Sequence, residues 1–396
     1  MPHSLLRRLE QLRDRYHTEL HEHVIPFWMK NSLDTVNGGY FNCLDRDGKV
    51  YDTTKHLWLQ GRQVWMLSKL YNTYGDEKYL RAATLGANFL QKFGKTTGQR
   101  VYFSLTKEGK PVFMQRKMFS ECFYAMAMAE YARAARSEAH KQEARAMLQA
   151  IFRYAEDITL VGRPVFEGAP ATSSLAVPMI LLNLIAEIAD PGETTYAERE
   201  EWCVRQLDKH IRPELERVME TVNADGTLLN SPEGRLLNPG HAIEAGWFLL
   251  DYAQKKENAA LKAKAFNMIN WSMAHGWDST HGGLFYFQDL EGYSPVQLEW
   301  SMKLWWPHCE ALVALIKCYA DTKDERYLTK FEEYTDYSFL HFSDPEFGEW
   351  YGYLDRNNRV THRFKGGPYK GFFHVPRALF LCLRQLDGLL QTTVAE

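Results

Sequence analysis

The 396-residue sequence predicts an all-α fold, an (α/α)6 barrel: a toroid of six helical hairpins with short β-hairpins at the active-site rim. Three observations predict it. Apolar residues recur at spacings of three and four over most of the chain, the period of a helix face. Stretches that are apolar nearly all round alternate with stretches that carry one charged face. A block joining a hairpin pattern to a Trp-bearing helix occurs twice, and such repeats mark arrays of one structural unit.

Helix signals run near 4–24, 56–73, 77–93, 117–135, 140–157 and 173–189. They continue near 195–219, 241–256, 259–275, 302–320, 325–341 and 371–390. The first, "MPHSLLRRLEQLRDRYHTELHEH", is charged throughout, so it reads as an amphipathic helix and not as a signal peptide. The block "GGYFNCLDRDGKVYDTTKHLWLQGRQVWMLSKLYNTYGDEKYL" (38–80) matches "GGLFYFQDLEGYSPVQLEWSMKLWWPHCEALVALIKCYADTKDERYL" (282–328). Each opens on Gly-Gly, alternates aromatic and polar residues around an acidic turn with Gly, and enters a Trp-bearing helix. "GEWYGYLDRNNRVT" (348–361) repeats the opening, and "RVYFSLTKEGKPVF" (100–113) is a degenerate copy. All of these openings read as β-hairpins.

"FSECFYAMAMAEYA", "SSLAVPMILLNLIAEIA", "HAIEAGWFLLDYA" and "HCEALVALIKCYA" have almost no polar face. Helices of that kind must be buried on all sides. "EKYLRAATLGANFLQKF" and "QEARAMLQAIFRYAED" carry a charged face and fit an outer ring. Short links between antiparallel helices agree with hairpins closed into a ring. No linker rich in Pro, Gly or Ser divides the chain, so residues 1–396 read as one domain.

The formal net charge of -3 gives no electrostatic footprint for nucleic acid or an anionic membrane. No apolar run reaches the roughly 18 residues of a membrane span. Six cysteines are scattered without a CxxC pair, which predicts reduced, core-filling thiols and a cytoplasmic protein. Eleven tryptophans and 21 tyrosines exceed what a core needs and suit a concave site for sugars or rings.

In such a toroid the inner helices run parallel, and their N-termini crowd at one end around a bowl. The repeat fixes the register. Tyr71 aligns with Tyr319, so Trp58 pairs with Trp306, Gln60 with His308, and Arg62 with Glu310. Aligning Tyr252 with Tyr71 sets His241 at the level of His308, and "GFFHVPRAL" sets His374 near it. The inner helix starts thus carry Arg62, then Glu121, then His241 with Glu244, then His308 with Glu310, then His374. Each residue alone could be a cap, a packing contact or, for Arg62 with Glu310, a buried ion pair. Together they place ionisable groups at one level of an apolar ring, where burial without a ligand or water is costly.

No metal site is predicted. His241, His308 and His374 come from three helices without HExxH spacing. "FGKTTG" (93–98) is not a phosphate loop, because Phe89 stands where the first Gly is required. His275 and His281, near "GWDSTHGG", read as turn or loop residues. Several imidazoles with an Arg suit proton abstraction next to a carbonyl: one group takes the proton, a cation holds the enediolate, and a second group reprotonates the other face. Inverting glycoside hydrolysis through two of Glu121, Glu244 and Glu310 is the competing chemistry.

The motifs "TKHLWLQGRQVW", "MFSECFYAMAMAE", "LAVPMILLNL", "NPGHAIEAGWFLL", "GWDSTHGGLFYFQD", "QLEWSMKLWWPHCEAL", "FGEWYGYLDRNNRV" and "KGGPYKGFFHVPRAL" resemble the N-acylglucosamine 2-epimerase (renin-binding protein) family. The resemblance spans about residues 30–390 and is closer than that to mannose isomerase and cellobiose 2-epimerase. It implies the (α/α)6 barrel and reversible conversion of N-acetyl-D-glucosamine and N-acetyl-D-mannosamine through the ring-opened sugar. His241 and His374 would be the acid/base pair. Arg62 would bind oxygen and stabilise the enediolate, and Glu310 would orient an imidazole or a sugar hydroxyl. Glu244, three residues after His241, would orient that imidazole; His308, Trp58 and Trp306 would contact substrate. The resemblance further implies a homodimer and an allosteric activator, ATP, that is not consumed, sought near "QKFGKTTGQR" (91–100). Alternatives are an aldose–ketose isomerase or 2-epimerase for unsubstituted sugars such as mannose or cellobiose, and a non-catalytic protein that binds a protease.

Overall fold

The computed structural model describes residues 3–395. Its helices are α1 (His3–Thr18), α2 (Ile25–Asn31), α3 (Leu57–Tyr74), α4 (Glu77–Phe93), α5 (Phe119–Ala135), α6 (Glu138–Glu156) and α7 (Ala176–Ile188). They continue with α8 (Ala197–Asp208), the single turn α9 (Pro232–Arg235), α10 (Pro239–Lys255), α11 (Ala259–Gly276), α12 (Trp305–Thr322), α13 (Glu325–His341) and α14 (His374–Ala395). A π-helical turn, Glu19–Val24, joins α1 to α2.

The expected two rings are present. Helices α3, α5, α7, α10, α12 and α14 are buried along most of their length and pack in that order. The ring closes where Trp65 meets Phe373 at 5.4 Å and Tyr74 meets Phe380 at 6.3 Å. Outside it, α1 packs on α14, α4 on α3, α6 on α5, α8 on α7, α11 on α10 and α13 on α12. The fold is the (α/α)6 toroid. Three of the outer helices, α4, α13 and α11, start at side-chain caps: Asp76 accepts the Lys78 amide, Asp324 the Arg326 amide and Asn258 the Leu261 amide. Such caps satisfy amides that the first turn leaves free.

Short strands line the rim. Hairpins form between β1 (Cys43–Leu44) and β2 (Val50–Asp52), and between β4 (Ser104–Leu105) and β5 (Pro111–Phe113), with β3 (Lys55–His56) beside β4. Strand β6 (Thr172–Ser174) pairs with β9 (Thr221–Asn223), and β7 (Ile211–Arg212) with β8 (Arg217–Val218). The last sheet is β12 (Lys303–Leu304), β13 (Tyr353–Leu354) and β14 (Val360–His362).

Three expectations need correction. The opening near 282 is no hairpin: β11 (Gln288–Asp289) pairs with β10 (Leu236–Leu237), from the segment before α10. The helix expected over 195–219 ends at Asp208, because Pro213 lacks an amide and keeps Arg212 out of helical conformation. His275 lies in the last turn of α11, not in a loop; its Nδ1 is 2.7 Å from Gln288 Oε1.

The repeat also carries a structural device at the rim. Three buried lysines each clasp a buried aspartate at a rim turn: Lys55–Asp34 at 2.7 Å, Lys303–Asp278 at 3.0 Å and Lys365–Asp344 at 3.0 Å. In each turn the Asp carbonyl accepts the amide of a Gly four residues on, Gly38, Gly282 or Gly348. These glycines have φ of +84°, +74° and +77°, which glycine adopts without strain. The clasps fix the loops that lead into α3, α12 and α14. All six cysteines are free and buried, and no described helix is long and apolar enough to cross a membrane.

Candidate active site

The first turns of α3, α10, α12 and α14 meet at one end of the inner ring. Prolines sit in three of these turns, Pro239, Pro307 and Pro376, where a missing amide costs little. Asn238 caps α10 by accepting the His241 amide at 3.2 Å, which fixes the backbone under that imidazole.

Two imidazoles define the site, and each holds a carboxylate through Nδ1. His374 donates to Glu310 Oε1 at 2.8 Å. His241 lies 3.0 and 3.1 Å from the two oxygens of Glu220. Neither Nε2 has a protein partner among the described residues, so both remain for a ligand. Trp306 lies between them, its ring centre 5.2 Å from His241 and 5.9 Å from His374.

The two carboxylates differ. Glu310 also accepts Arg377 at 2.6 Å, and Trp247 Nε1 at 3.0 Å. Arg377 donates as well to Glu244 at 2.8 Å. Glu220 has no cation beyond His241 among the described ion pairs. The imidazoles respond accordingly. Burial, then Arg62 and Arg377, push the proton affinity of His374 well below the usual imidazole range, against Glu244. Burial acts the same way on His241, but Glu220, by charge and hydrogen bond, and then Glu244 and Glu310 outweigh it and raise it. A neutral imidazole therefore faces one that favours its proton.

Arg62 is the third part. It is 9 % exposed, its guanidinium lies 4.0 Å from the Phe123 ring centre, 4.9 Å from Trp58 and 5.1 Å from Phe373. Among the described residues no carboxylate is hydrogen-bonded to it, and its Nε has no partner. Burial pushes its pKa down to about 9, with Glu244 opposing, so it remains a cation at neutral pH. The ion pair weighed for Arg62 and Glu310 does not form, because Arg377 takes Glu310. A buried cation without a counter-ion is costly unless an anion comes to it.

Of the expected residues, His241, His374, Arg62, Glu310, Glu244, Trp58 and Trp306 come together. Trp58 lines the edge, its Nε1 donating to the Pro368 carbonyl at 3.1 Å. His308 does not join them. It is wholly buried; Nδ1 donates to the Leu304 carbonyl at 2.6 Å and Nε2 accepts the Leu284 amide at 2.9 Å. Both nitrogens are spent on backbone, so it offers a substrate nothing, and burial pushes its pKa down to about 3. Glu121 is equally buried and binds Arg100 at 2.6 Å and the Val101 amide at 3.0 Å, as a strut for the loop before α5. Glu244 does not orient His241; Glu220 does.

Glu220 and Arg377 were missed. Arg377 stands three residues after His374, one helix face, a signal that was available. Glu220 lies between β8 and β9, one residue beyond the helix expected over 195–219. Glu244, Glu310 and His374 offer ligand atoms within 4.8 Å of one another, a spacing that could hold a cation. The Arg377 guanidinium already bridges both carboxylates there. That closeness also speaks against an inverting hydrolase, which needs carboxyl groups roughly 6.5–9.5 Å apart. In the basic loop 91–100, Lys95 is bound to Glu143 and Arg100 to Glu121.

A sequence profile of the N-acylglucosamine 2-epimerase (GlcNAc 2-epimerase) family matches residues 39–378. The chain is 44% identical over 392 residues to N-acylglucosamine 2-epimerase of Homo sapiens, covering 96% of this chain and 92% of that protein. It is 45% identical over 392 residues to the enzyme of the same name from Bos taurus, covering 96% and 93%. The solved cellobiose 2-epimerase from Bacillus thermoamylovorans superposes with a TM-score of 0.82 at 21% identity, covering 95% of this chain and all of the other (100%). At that identity the likeness concerns the fold.

Proposed function

Since this chain belongs to the N-acylglucosamine 2-epimerase family, we propose that its bowl is a two-base site in which His374 and His241 work on opposite faces of one carbon. The protein is an isomerase that interconverts N-acetylglucosamine and N-acetylmannosamine. The hydrogen on carbon 2 is not acidic in the closed ring. Opening the ring makes an aldehyde at carbon 1, and the hydrogen beside it can then leave as a proton.

In one direction His374, neutral at rest, takes that proton on Nε2. Negative charge moves to the carbonyl oxygen, and Arg62, a buried cation with no carboxylate in direct contact among the described residues, stabilises it. His241, which favours its protonated form, gives a proton from Nε2 to the opposite face. Carbon 2 is inverted and the chain re-closes. In the other direction the roles exchange. Trp306 forms the floor between the imidazoles, and Arg377 holds Glu310 and Glu244 in place beneath His374.

The observation that carries this reading is the pair of imidazoles on either side of Trp306, each anchored to a carboxylate through Nδ1 with Nε2 left open; their opposite shifts suit an acid and a base. Turnover in heavy water tests it. The product epimer should carry deuterium at carbon 2; product without deuterium there would sink proton transfer at that carbon. Stimulation by ATP that is not consumed, and a homodimer, belong to the same reading on the family resemblance. A cytoplasmic location is supported by six free, buried thiols.

A further inference from the structure

The proposed acid needs a reason to hold its proton, and the reason comes from outside the inner ring. Glu220 stands between β8 and β9, in the rim insertion between α8 and α10. Its backbone is pinned on both sides. The Leu175 amide donates to the Glu220 carbonyl at 2.9 Å, and Met219, fully buried, donates its amide to His210 at 2.9 Å. Thr221 pairs with Ser174. The carboxylate is therefore a fixed object, and it meets His241 Nδ1 almost symmetrically, at 3.0 and 3.1 Å.

The other charged groups around this pair are few. Glu244 lies on the same helix as His241, Glu310 comes from α12, His374 and Arg377 from α14, and Arg62 from α3. His210 and Tyr286 stand near Glu220. Arg377 holds both Glu244 and Glu310, so Glu220 is the carboxylate here whose charge no arginine takes up.

We propose that Glu220 is a positioning residue for the epimerisation: it holds the proton on His241 Nδ1, keeps Nε2 turned to the substrate, and makes this imidazole the proton donor to carbon 2 of the enolate. The inference rests on the two-base reading above. In it Glu220 touches no reacting atom and acts only through His241.

Glu220→Gln tests this, since the amide oxygen can still accept from Nδ1 but the charge is gone. The inverted product should form about 100-fold more slowly. Proton removal by His374 should persist, so the starting epimer should pick up deuterium at carbon 2 without inverting. The ratio of exchange to inversion should rise by about tenfold or more. The alkaline limb of kcat/KM, where His241 loses its proton, should move to lower pH. Glu220→Asp keeps the charge on a shorter arm and should show the same changes more weakly; it carries the test if E220Q does not fold. Equal loss of exchange and inversion in the variants, with an unmoved alkaline limb, would overturn the role of Glu220. Wild-type turnover without deuterium at carbon 2 would instead overturn the two-base reading, so the two failures are distinct.

Discussion

The pair His241–Glu220 and the pair His374–Glu310 are built from the same parts at nearly the same distance, 3.0 and 2.8 Å. They behave oppositely because the charges around each imidazole differ. Behind Glu310 is Arg377, which neutralises it, and Arg62 adds a second positive charge. Behind Glu220, among the described ion pairs, there is no cation other than His241. Burial lowers both imidazoles; the arginines beside His374 add to it, and the carboxylates beside His241 outweigh it. Low local dielectric makes these charges count.

The largest expected effect comes from removing either imidazole. His374→Asn and His241→Asn should each lower epimerisation by about 10²- to 10⁴-fold, with the melting profile little changed. Coupled assays from both epimers would measure this. If one variant kept full activity in both directions, the pair would not be a pair.

Arg377→Met attacks the difference itself. It leaves the Glu310 and Glu244 charges to act on His374, whose proton affinity should rise. A base must be neutral to work, so its activity is lost as pH falls through its pKa. The acid limb of kcat/KM should therefore move to higher pH in R377M, and the alkaline limb, which belongs to His241, should move less in the same direction, because Glu244 and Glu310 also act on it. Breaking this buried cluster should also cost about 3–5 kcal/mol of stability. An acid limb in the wild-type position would mean that Arg377 does not set the proton affinity of His374.

Lys303→Met asks whether the rim matters to one pair more than the other. Lys303 clasps Asp278 two residues before α12, the helix that brings Glu310, and has no contact with Glu220. Burial would raise the Asp278 pKa, but Lys303 and the turn amides outweigh it and hold it low. A carboxyl lowered on folding lends stability that is present above about pH 4 and fades as pH falls through its folded pKa. K303M should lose about 3 kcal/mol at neutral pH, less what Arg356 and the amides retain. Denaturant unfolding at pH 7 and pH 3 should show that deficit shrinking in acid.

Much of this was legible in the sequence, and the misses have physical causes. The alternation of all-round apolar and amphipathic helices is a long-range signal, so both rings were read correctly. The repeat put Arg62, Glu310 and His241 at one level because a repeated unit repeats its geometry. It could also have shown the clasps, since Lys55 and Lys303 share the register of Trp58 and Trp306. Glu220 was out of reach: the two- and three-residue strands beside it have no periodicity, and the pairing of β9 with β6, residues 172–174 with 221–223, is far apart in sequence. What fixes that carboxylate is tertiary.

His308 shows the same repeat read too literally, and it carries the smallest predicted effect. The register pairs it with Gln60, and the structure explains why. Gln60 Oε1 accepts the Tyr40 amide at 2.8 Å and its Nε2 donates to the Tyr40 carbonyl at 2.8 Å. His308 Nε2 accepts the Leu284 amide, at the matching place after the second Gly-Gly turn. Both side chains pin a rim turn to an inner helix, one as an amide and the other as a neutral imidazole. His308→Gln should therefore cost only about 1 kcal/mol, the worth of one bond made slightly worse. Activity should stay within about twofold, and both limbs of the pH profile should stay in place, because an imidazole held neutral by burial contributes neither. A large loss of kcat at unchanged stability would return the third imidazole to the bowl. The expected result leaves proton traffic to the two imidazoles whose carboxylates differ.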